Sequence, residues 1–272
     1  MTEPGSLQRS NNLSLIFPAI GRWTMLLIGN LGAVAIFFSL SLVHIFRRKQ
    51  LSEIVKQVFF IGARSSLIVM LVGLFTGMVL GLQLFYTLIR FGSVGALGSA
   101  VSLSLIRELG PVLTAIMITA RAGSAMAAEI GILRISEQID ALYSMRIDPV
   151  RYLISPRIAA SIISFPLLTS FFDLVGIVGG YLTGVFLMGA NAGSYFYRVQ
   201  SALTMVDVRG GFIKSLVFAV IVSCICCYQG YFCHMRTDGY GAKAVGLATI
   251  AAVVLSCVLI LIADYVVTSF LM

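Results

Sequence analysis

Five stretches of this chain are predominantly apolar, and each is long enough to cross a bilayer as a helix, which takes about 20 residues. They cover residues 59–89, 96–120, 153–188, 212–232 and 245–271. The composition agrees, because charged residues make up 11% of the chain, whereas a soluble domain has about 25%. The sequence therefore predicts an all-α, multi-pass membrane protein. Residues 21–272 form one domain, preceded by a polar segment, residues 1–20.

The basic residues between these stretches favour one side of the membrane. Segments 47–64, 121–157 and 233–243 contain Arg47, Arg48, Lys49, Lys56, Arg64, Arg121, Arg134, Arg146, Arg151, Arg157, Arg236 and Lys243. Segments 87–95 and 187–211 contain only Arg90, Arg198 and Arg209. Because cytoplasmic loops are enriched in Lys and Arg, the first set is expected in the cytoplasm. The net charge of +8 then reflects topology and contact with anionic lipid, and no nucleic-acid partner is expected.

Residues 24–46 are also long enough to span, but small or polar residues interrupt the run. The interruptions are Gly29, Asn30, Gly32 and His44. Arg22 and Trp23 precede the run, and this pairing is typical of a membrane interface. The residues alone leave two possibilities, a helix that crosses the bilayer or a bent helix that lies in the interface. The N-terminus also lacks the features of a cleavable signal peptide.

Charged residues inside the apolar stretches indicate a functional or structural role, because each costs roughly 2.5–3.5 kcal/mol at a helix centre. They are Arg107, Glu108, Asp173, Lys214 and Asp264. Pro111 has no N–H for the carbonyl of Arg107, which predicts a free carbonyl and a kinked helix there. Buried ion pairs that fix helix register and a role in the substrate path or its gating both remain open.

The polar segment after the second stretch is predicted to form a helix over residues 127–145. On a helical wheel Ile132, Ile135, Ile139 and Leu142 share one face, and the polar residues lie opposite. The polar candidates for contact with a cytoplasmic partner are Glu129, Arg134, Glu137, Gln138 and Asp140. The alternative is a surface helix without a partner.

Two rows of glycines at four-residue intervals are predicted to pack helices closely. The rows are Gly73, Gly77 and Gly81, and Gly176, Gly180 and Gly184. The cysteines at 224, 226, 227, 233 and 257 are interpreted as small apolar residues in helices, with no metal site. The sequence has no GxxxxGK[ST] phosphate loop, HExxH or GxSxG motif. We therefore expect a chain that is not an enzyme and binds no cofactor itself.

Residues 105–157 resemble the hallmark region of a known family. They read LxRELGPVLTAxxxxxRAGSAxxAEIGxxRxxEQIDALxxMxxDPxRYLxxPR, and TGMVLGLQ at 76–83 and IKSLVFA at 213–219 also match. The pattern resembles the MlaE/YrbE permeases, the membrane subunits of ABC transporters that work with MCE-domain proteins. The resemblance covers nearly the whole chain from about Gly21.

The resemblance implies a homodimeric permease in the inner membrane of a Gram-negative bacterium. Its partners are ABC ATPase subunits that hold ATP and Mg, a hexameric periplasmic MCE protein and, in many systems, a STAS-domain protein. Such a complex moves phospholipid between the inner membrane and the MCE protein and maintains outer-membrane lipid asymmetry. The implied fold has five spans preceded by an interfacial helix, here residues 21–46, and a cytoplasmic coupling helix, here residues 127–145, that docks on the ATPase.

The resemblance also assigns site residues. Arg107, Glu108, Lys214 and Asp264 match charged positions in the family's spans. With Pro111, they are our candidates for the substrate path, and Leu80, Leu84, Phe85 and Leu88 are candidates for an apolar lipid-binding lining. Two other functions are open: a membrane scaffold for the MCE ring that does not transport, and an ion-coupled secondary lipid transporter that uses Glu108 and Asp264.

Overall fold

The computed structural model describes residues 51–236 and 239–271, together with the single position Gly32. All regular structure in this part of the chain is helical, and five helices are long and apolar enough to cross a membrane. The helices are α1 (Leu51–Arg90), α2 (Val94–Ile135), α3 (Gln138–Ser144), α4 (Val150–Leu187), α5 (Ala192–Ala202), α6 (Met205–Tyr231) and α7 (Ala242–Leu271). The predicted all-α fold with five spans is confirmed. The polar segment 1–20 and the predicted interfacial helix 21–46 lie outside the described residues, apart from Gly32.

The spanning helices extend beyond the apolar stretches from which they were predicted. α1 is described from Leu51 onward, and a short amphipathic part, Leu51–Val58, precedes the apolar run. α2 continues to Ile135 as one helix with the polar segment that follows its apolar part. α6 begins at Met205, where Thr204 and Asp207 form a capping box that satisfies the first backbone N–H groups. The length of an apolar stretch therefore underestimates the length of the helix that contains it.

The prediction of one helix over residues 127–145 is wrong. α2 ends at Ile135, Glu137 adopts a left-handed backbone conformation with φ of 59°, and α3 starts at Gln138. The left-handed residue interrupts the helical repeat, so the residues of the proposed apolar stripe do not share one helix face. Ile132 is 54% exposed, whereas Ile139 is fully buried. A left-handed residue that is not glycine is uncommon, and the sequence around Glu137 gave no sign of it.

A further helix, α5, was not predicted. It lies between the third and fourth spans, where Asn191 caps it by accepting a hydrogen bond from the backbone N–H of Ser194 at 3.0 Å. Tyr195 fixes α5 to the bundle, because its hydroxyl donates to the carbonyl of Ile177 at 3.0 Å. Gly98 on α2 packs directly against the backbone of Tyr195. α5 is short and polar, so the sequence contains no apolar stretch from which it could be predicted.

The two glycine rows lie mainly against each other, where α1 crosses α4. A Cβ on Gly73 would lie 2.8 Å from the carbonyl oxygen of Phe172, and one on Gly77 would overlap the carbonyl of Gly176. A Cβ on Gly81 would lie 3.0 Å from the backbone of Gly180 and closer still to the hydroxyl of Thr183. In the second row an added Cβ would instead meet side chains of α2 and α5: Leu105 at Gly176, Val101 and Tyr195 at Gly180, and Leu97 at Gly184. The close approach of these backbones needs the absence of side chains at the crossing.

Several spans contain a π-helical turn, in which one residue is added to the helical repeat. The turns that matter below are Phe59–Ala63 in α1 and Leu105–Leu109 in α2. Such turns leave backbone carbonyls available to side chains and occur frequently at functional sites. The second turn contains Arg107 and Glu108 and directly precedes the helical segment that carries Pro111.

Candidate functional site

Lys214 is the centre of a cluster of charges formed by α2, α6 and α7. Its side chain is only 3% exposed, and its Nζ donates to Glu108 Oε2 at 2.6 Å. The same nitrogen lies 3.0 Å from Asp264 Oδ1, close enough for a charge contact, although the two are not aligned as a hydrogen bond. One buried cation therefore joins carboxylates from two other helices, which compensates part of the cost of burying it.

Pro111 explains a third contact of Lys214. Nζ donates to the backbone carbonyl of Arg107 at 2.8 Å, the carbonyl that a residue with an N–H at position 111 would satisfy within the helix. The sequence predicted that this carbonyl is free, and the structure places a lysine on it. Gly211 lets α6 approach this turn, since a Cβ there would lie 2.7 Å from the carbonyl oxygen of Ile106.

The side chain of Arg107 pairs with Asp207, a residue that the sequence did not mark as a site residue. Arg107 Nε donates to Asp207 Oδ1 at 2.7 Å. The other carboxylate oxygen of Asp207 accepts from the Thr204 backbone N–H at 3.0 Å and from its hydroxyl at 2.7 Å. The Thr-x-x-Asp spacing of residues 204–207 is a capping signal that could have identified Asp207. Because the residue lies outside the apolar stretch, it was not counted as a charge within a span.

A cleft of about 300 Å³ opens beside this cluster, between α2, α6 and the end of α7. Its lining consists of Arg107, Glu108, Val206, Asp207, Gly210, Gly211, Lys214, Thr268 and Leu271. The side chains of Arg107 and Glu108 are 43% and 39% exposed, so the cleft presents a cationic and an anionic group side by side. The lining includes residues near the start of α6 and the end of α7, and the distribution of basic residues predicts that this side lies opposite the cytoplasm. Such a pair is suited to a polar group that carries both charges.

The predicted apolar lining on α1 is divided between two environments. Leu80 borders a shallow apolar groove with Phe75, Val79 and Leu109. Phe85, in contrast, belongs to the hydrophobic core and is only 8% exposed, so its side chain packs the bundle and does not line an open groove. Leu84 and Leu88 are partly buried against the same core.

At the end of the bundle that the basic residues predict to be cytoplasmic, Arg134 joins the end of α2 to α3. Its Nη1 donates to Asp140 Oδ1 at 2.8 Å, and its Nε donates to His234 Nδ1 at 3.0 Å. Glu137 and Gln138 are exposed. Glu129 instead pairs with Arg157 at 2.9 Å, which ties α2 to the start of α4. Among the candidate coupling residues, Glu129 therefore has a structural partner within the bundle.

His234 gives the Arg134 junction a dependence on pH. Partial burial, and then the charge of Arg134, lower the pKa of His234 below its ordinary value. The unfolded state therefore takes up a proton more readily than the folded state, and stability is lost as the pH falls below about 6.5. We expect lower protection factors for the amides of α3, that is, exchange rates corrected for the intrinsic rate at each pH, at pH 5.5 to 6 than at about pH 7.5. A His234→Asn variant should lose most of this difference. An equal pH response in both proteins would contradict the assignment.

The remaining candidates lie apart from the cleft. Asp173 on α4 faces Gly110 of α2, and its Oδ1 is buried without a hydrogen bond among the described residues. Cys224, Cys226, Cys227 and Cys233 are buried, and across the described ranges no group of His, Cys, Asp and Glu is arranged to hold a metal ion.

Comparison with known proteins gives one consistent family. The family model for the permease MlaE matches residues 54–270. The intermembrane phospholipid transport system permease protein MlaE of Haemophilus influenzae is 42% identical over 223 residues, 82% of this chain and 84% of that protein. A probable ABC transporter permease protein of Rickettsia bellii is 41% identical over 251 residues, 92% of this chain and 95% of that protein.

A plant relative extends the range of similar proteins. TRIGALACTOSYLDIACYLGLYCEROL 1, a chloroplastic protein of Arabidopsis thaliana, is 38% identical over 209 residues, 77% of this chain and 58% of that protein. The matched family region contains all five spans from residue 54 onward, and with them the Lys214 cluster and the α2–α3 junction. The chain therefore belongs to the MlaE permease family.

Proposed function

We propose that this chain is the permease subunit of an ABC transporter that moves phospholipid between the inner membrane and a periplasmic MCE protein. Two copies of the chain form the membrane part, and an ABC ATPase supplies the energy from the cytoplasm. In a Gram-negative cell this transport maintains the lipid asymmetry of the outer membrane. A STAS-domain protein is a further candidate partner on the cytoplasmic side.

The observation that carries the proposal is the cleft beside Lys214. It combines a cationic and an anionic side chain with apolar residues from α6 and α7, such as Val206 and Leu271. A phospholipid headgroup needs polar contacts of this kind, while its acyl chains need apolar surface. The printed name of the H. influenzae relative, a phospholipid transport permease, supports the same substrate class.

α2 supports a route for coupling. The same continuous helix carries Arg107 and Glu108 at the cleft and Arg134 at its cytoplasmic end. Beyond Arg134 the chain turns at the exposed Glu137 into α3. A partner ATPase that binds this junction is thus connected to the cleft through a single helix. The junction replaces the unbroken coupling helix that the sequence suggested.

The direct test is reconstitution of the permease with its ATPase and MCE partners in liposomes. We expect a labelled phospholipid to pass between the liposomes and the MCE protein only when ATP is hydrolysed. Transfer driven by a proton gradient without ATPase would favour an ion-coupled transporter. ATP hydrolysis without any lipid movement, in an intact complex, would favour a scaffold and contradict the proposal.

Glu137 tests the coupling role with little disturbance of the fold. In a Glu137→Gly variant the left-handed turn is retained, because glycine adopts positive φ without strain, while the carboxylate is lost. We expect the variant to fold normally and to lose about tenfold in ATP-driven transfer, the effect of removing one important interface contact. The measurements are thermal unfolding and the lipid transfer described above.

Arg146 provides a matched control for this variant. It is exposed and also left-handed, with φ of 58°, so an Arg146→Gly change alters a similar backbone position in the same cytoplasmic segment. We expect its transfer rate to stay near that of the unmodified protein. Full transfer by the Glu137→Gly and Asp140→Asn variants would rule out a coupling role for these carboxylates.

A further inference from the structure

Two arginines at the cytoplasmic end of the bundle share one aromatic ring. The guanidinium carbon of Arg121 lies 5.5 Å from the ring centre of Phe60, and that of Arg64 lies 5.9 Å from the same ring. Arg64 is also 5.9 Å from the ring of Phe59. Cation–π contacts favour each arginine here, but two like charges beside one ring repel each other. An anion between them removes that repulsion.

The hydrogen bonds of Arg121 hold its guanidinium in place and leave much of it available. Nη1 donates to the carbonyl of Phe60 and to Ser65 Oγ, both at 2.8 Å. The first acceptor lies in the π-helical turn Phe59–Ala63, where carbonyls are available to side chains. Nε and Nη2 make no hydrogen bond to the residues that the structure describes. An arginine that is held in place through one nitrogen, and whose other nitrogens have no hydrogen-bond partner among the described residues, is preorganised to bind an oxyanion.

Among the described residues, no carboxylate forms an ion pair with either arginine. Of the 11 acidic residues, most are engaged elsewhere: Glu53, Glu108, Glu129, Asp140, Asp148, Asp207 and Asp264. Asp173 faces Gly110 inside the bundle, and Glu137 lies at the α2–α3 junction. Outside the described ranges the sequence contains only two more acids, Glu3 and Asp238. The anion is therefore more readily supplied by the surroundings than by the chain.

The depth of the pair identifies those surroundings. The α-helical part of α1 from Arg64 to Arg90 has 27 residues, roughly 40 Å at 1.5 Å per residue. A bilayer with its headgroups is about 40–45 Å thick. With Arg90 at the outer headgroup level, Arg64 lies at the level of the headgroups of the cytoplasmic leaflet. Below Arg64, at helical spacing, Leu67, Leu71 and Phe75 are exposed along α1.

We infer that Arg64 and Arg121 bind the phosphate of an anionic phospholipid from the cytoplasmic leaflet, beside the Phe60 ring that both arginines contact. The open nitrogens of Arg121 and the exposed guanidinium of Arg64 contact the phosphate oxygens. An acyl chain of the same lipid lies along Leu67, Leu71 and Phe75. This site is on the opposite side of the membrane from the cleft at Lys214, and it depends only on the membrane topology, not on the proposed transport function.

The test measures the retention of lipid by the full-length permease. The protein is reconstituted in nanodiscs of phosphatidylcholine with or without phosphatidylglycerol, extracted into mild detergent and analysed by native mass spectrometry. We expect the unmodified protein to retain phosphatidylglycerol in preference to phosphatidylcholine. An Arg64→Gln variant should retain about fivefold less, the contribution of one arginine at an anionic membrane surface. Arg64→Lys should recover part of the loss, because it restores the charge without the planar fork.

The control variant is Arg90→Gln, which removes an exposed arginine from the other end of the same helix. We expect its retention of phosphatidylglycerol to match that of the unmodified protein. An equal loss in Arg90→Gln and Arg64→Gln would show general attraction to basic residues and overturn the site. Unchanged retention in both Arg64→Gln and Arg121→Gln would also overturn it.

A separate experiment distinguishes binding of a lipid from binding of a soluble anion. Inorganic phosphate is added to the protein in phosphatidylglycerol nanodiscs before extraction. We expect no displacement, because a free phosphate has no acyl chains to contact Leu67, Leu71 and Phe75. Displacement by phosphate would show that the two arginines bind a soluble anion, and the assignment to a lipid would be wrong.

Discussion

Replacing Lys214 with methionine should abolish ATP-driven phospholipid transfer and lower the free energy of unfolding by about 3 kcal/mol. The change leaves two carboxylates, Glu108 and Asp264, without the cation that now joins them. It also removes the donor to the Arg107 carbonyl, which Pro111 prevents the helix from satisfying. The expected loss is at the lower end of the range for breaking a buried ion pair, because Glu108 keeps contact with solvent. Thermal unfolding and reconstituted lipid transfer measure the two effects.

A charge-neutral variant separates stability from function. In Glu108→Gln/Lys214→Met/Asp264→Asn no unpaired charge remains buried, so most of the lost stability should return. Lipid transfer should stay absent, because the cleft has lost the carboxylate of Glu108 and the cation of Lys214, and only the Arg107–Asp207 pair remains charged there. If this variant transfers lipid normally, the cluster only fixes helix register, which is the structural alternative that the sequence left open.

Replacing Gly77 with alanine should prevent normal assembly of the bundle or destabilise it by about 3 kcal/mol or more. An alanine Cβ at this position would overlap the carbonyl of Gly176. Because the obstacle is backbone, no side chain can rotate away, and α1 has to separate from α4. The contacts of Gly73 and Gly81 at the same crossing would be lost with it. The measurements are the yield of monodisperse protein in detergent and the temperature of unfolding.

Gly246 is the matched control for this change. It also lies inside a spanning helix, α7, but a Cβ there would meet nothing within 4 Å. Alanine is favoured over glycine in helices by roughly 0.5–1 kcal/mol, so Gly246→Ala should leave stability equal or slightly higher. Normal folding and stability in Gly77→Ala would show that the two helices do not pack as closely as described.

The sequence predicted the features that depend on a single helix. Apolar length gave the spans, and glycine spacing indicated faces for close packing. The carbonyl freed by Pro111 also followed from local chemistry. These features can be predicted without knowing the neighbouring helices, because each depends only on the helical repeat or on the chemistry of a single residue.

Contacts between side chains of two different helices could not be predicted from the sequence. Nothing in the composition of α6 indicates that Lys214 reaches both Glu108 and Asp264, since their separation along the chain is large. Asp207 was missed because it lies at a helix start and acts through Arg107. The break at Glu137 was missed for another reason: the residues around it favour a helix, and the contacts of α3 that accompany the turn, the burial of Ile139 and the hydrogen bond between Tyr143 and Tyr231, depend on the folded bundle.

The length of α2 has a mechanical consequence. Its 42 residues form a rod of roughly 60 Å, with the Lys214 cluster part-way along and the cytoplasmic junction at one end. A tilt of about 5° at that end displaces the far end by roughly 5 Å, by lever geometry on a rod of this length. Of the π-helical turns in α2, Thr119–Gly123 lies between the junction and the cleft and Leu105–Leu109 lies at the cleft. A tilt of the junction therefore reaches the cleft through turns in which the regular α-helical hydrogen-bond pattern is interrupted.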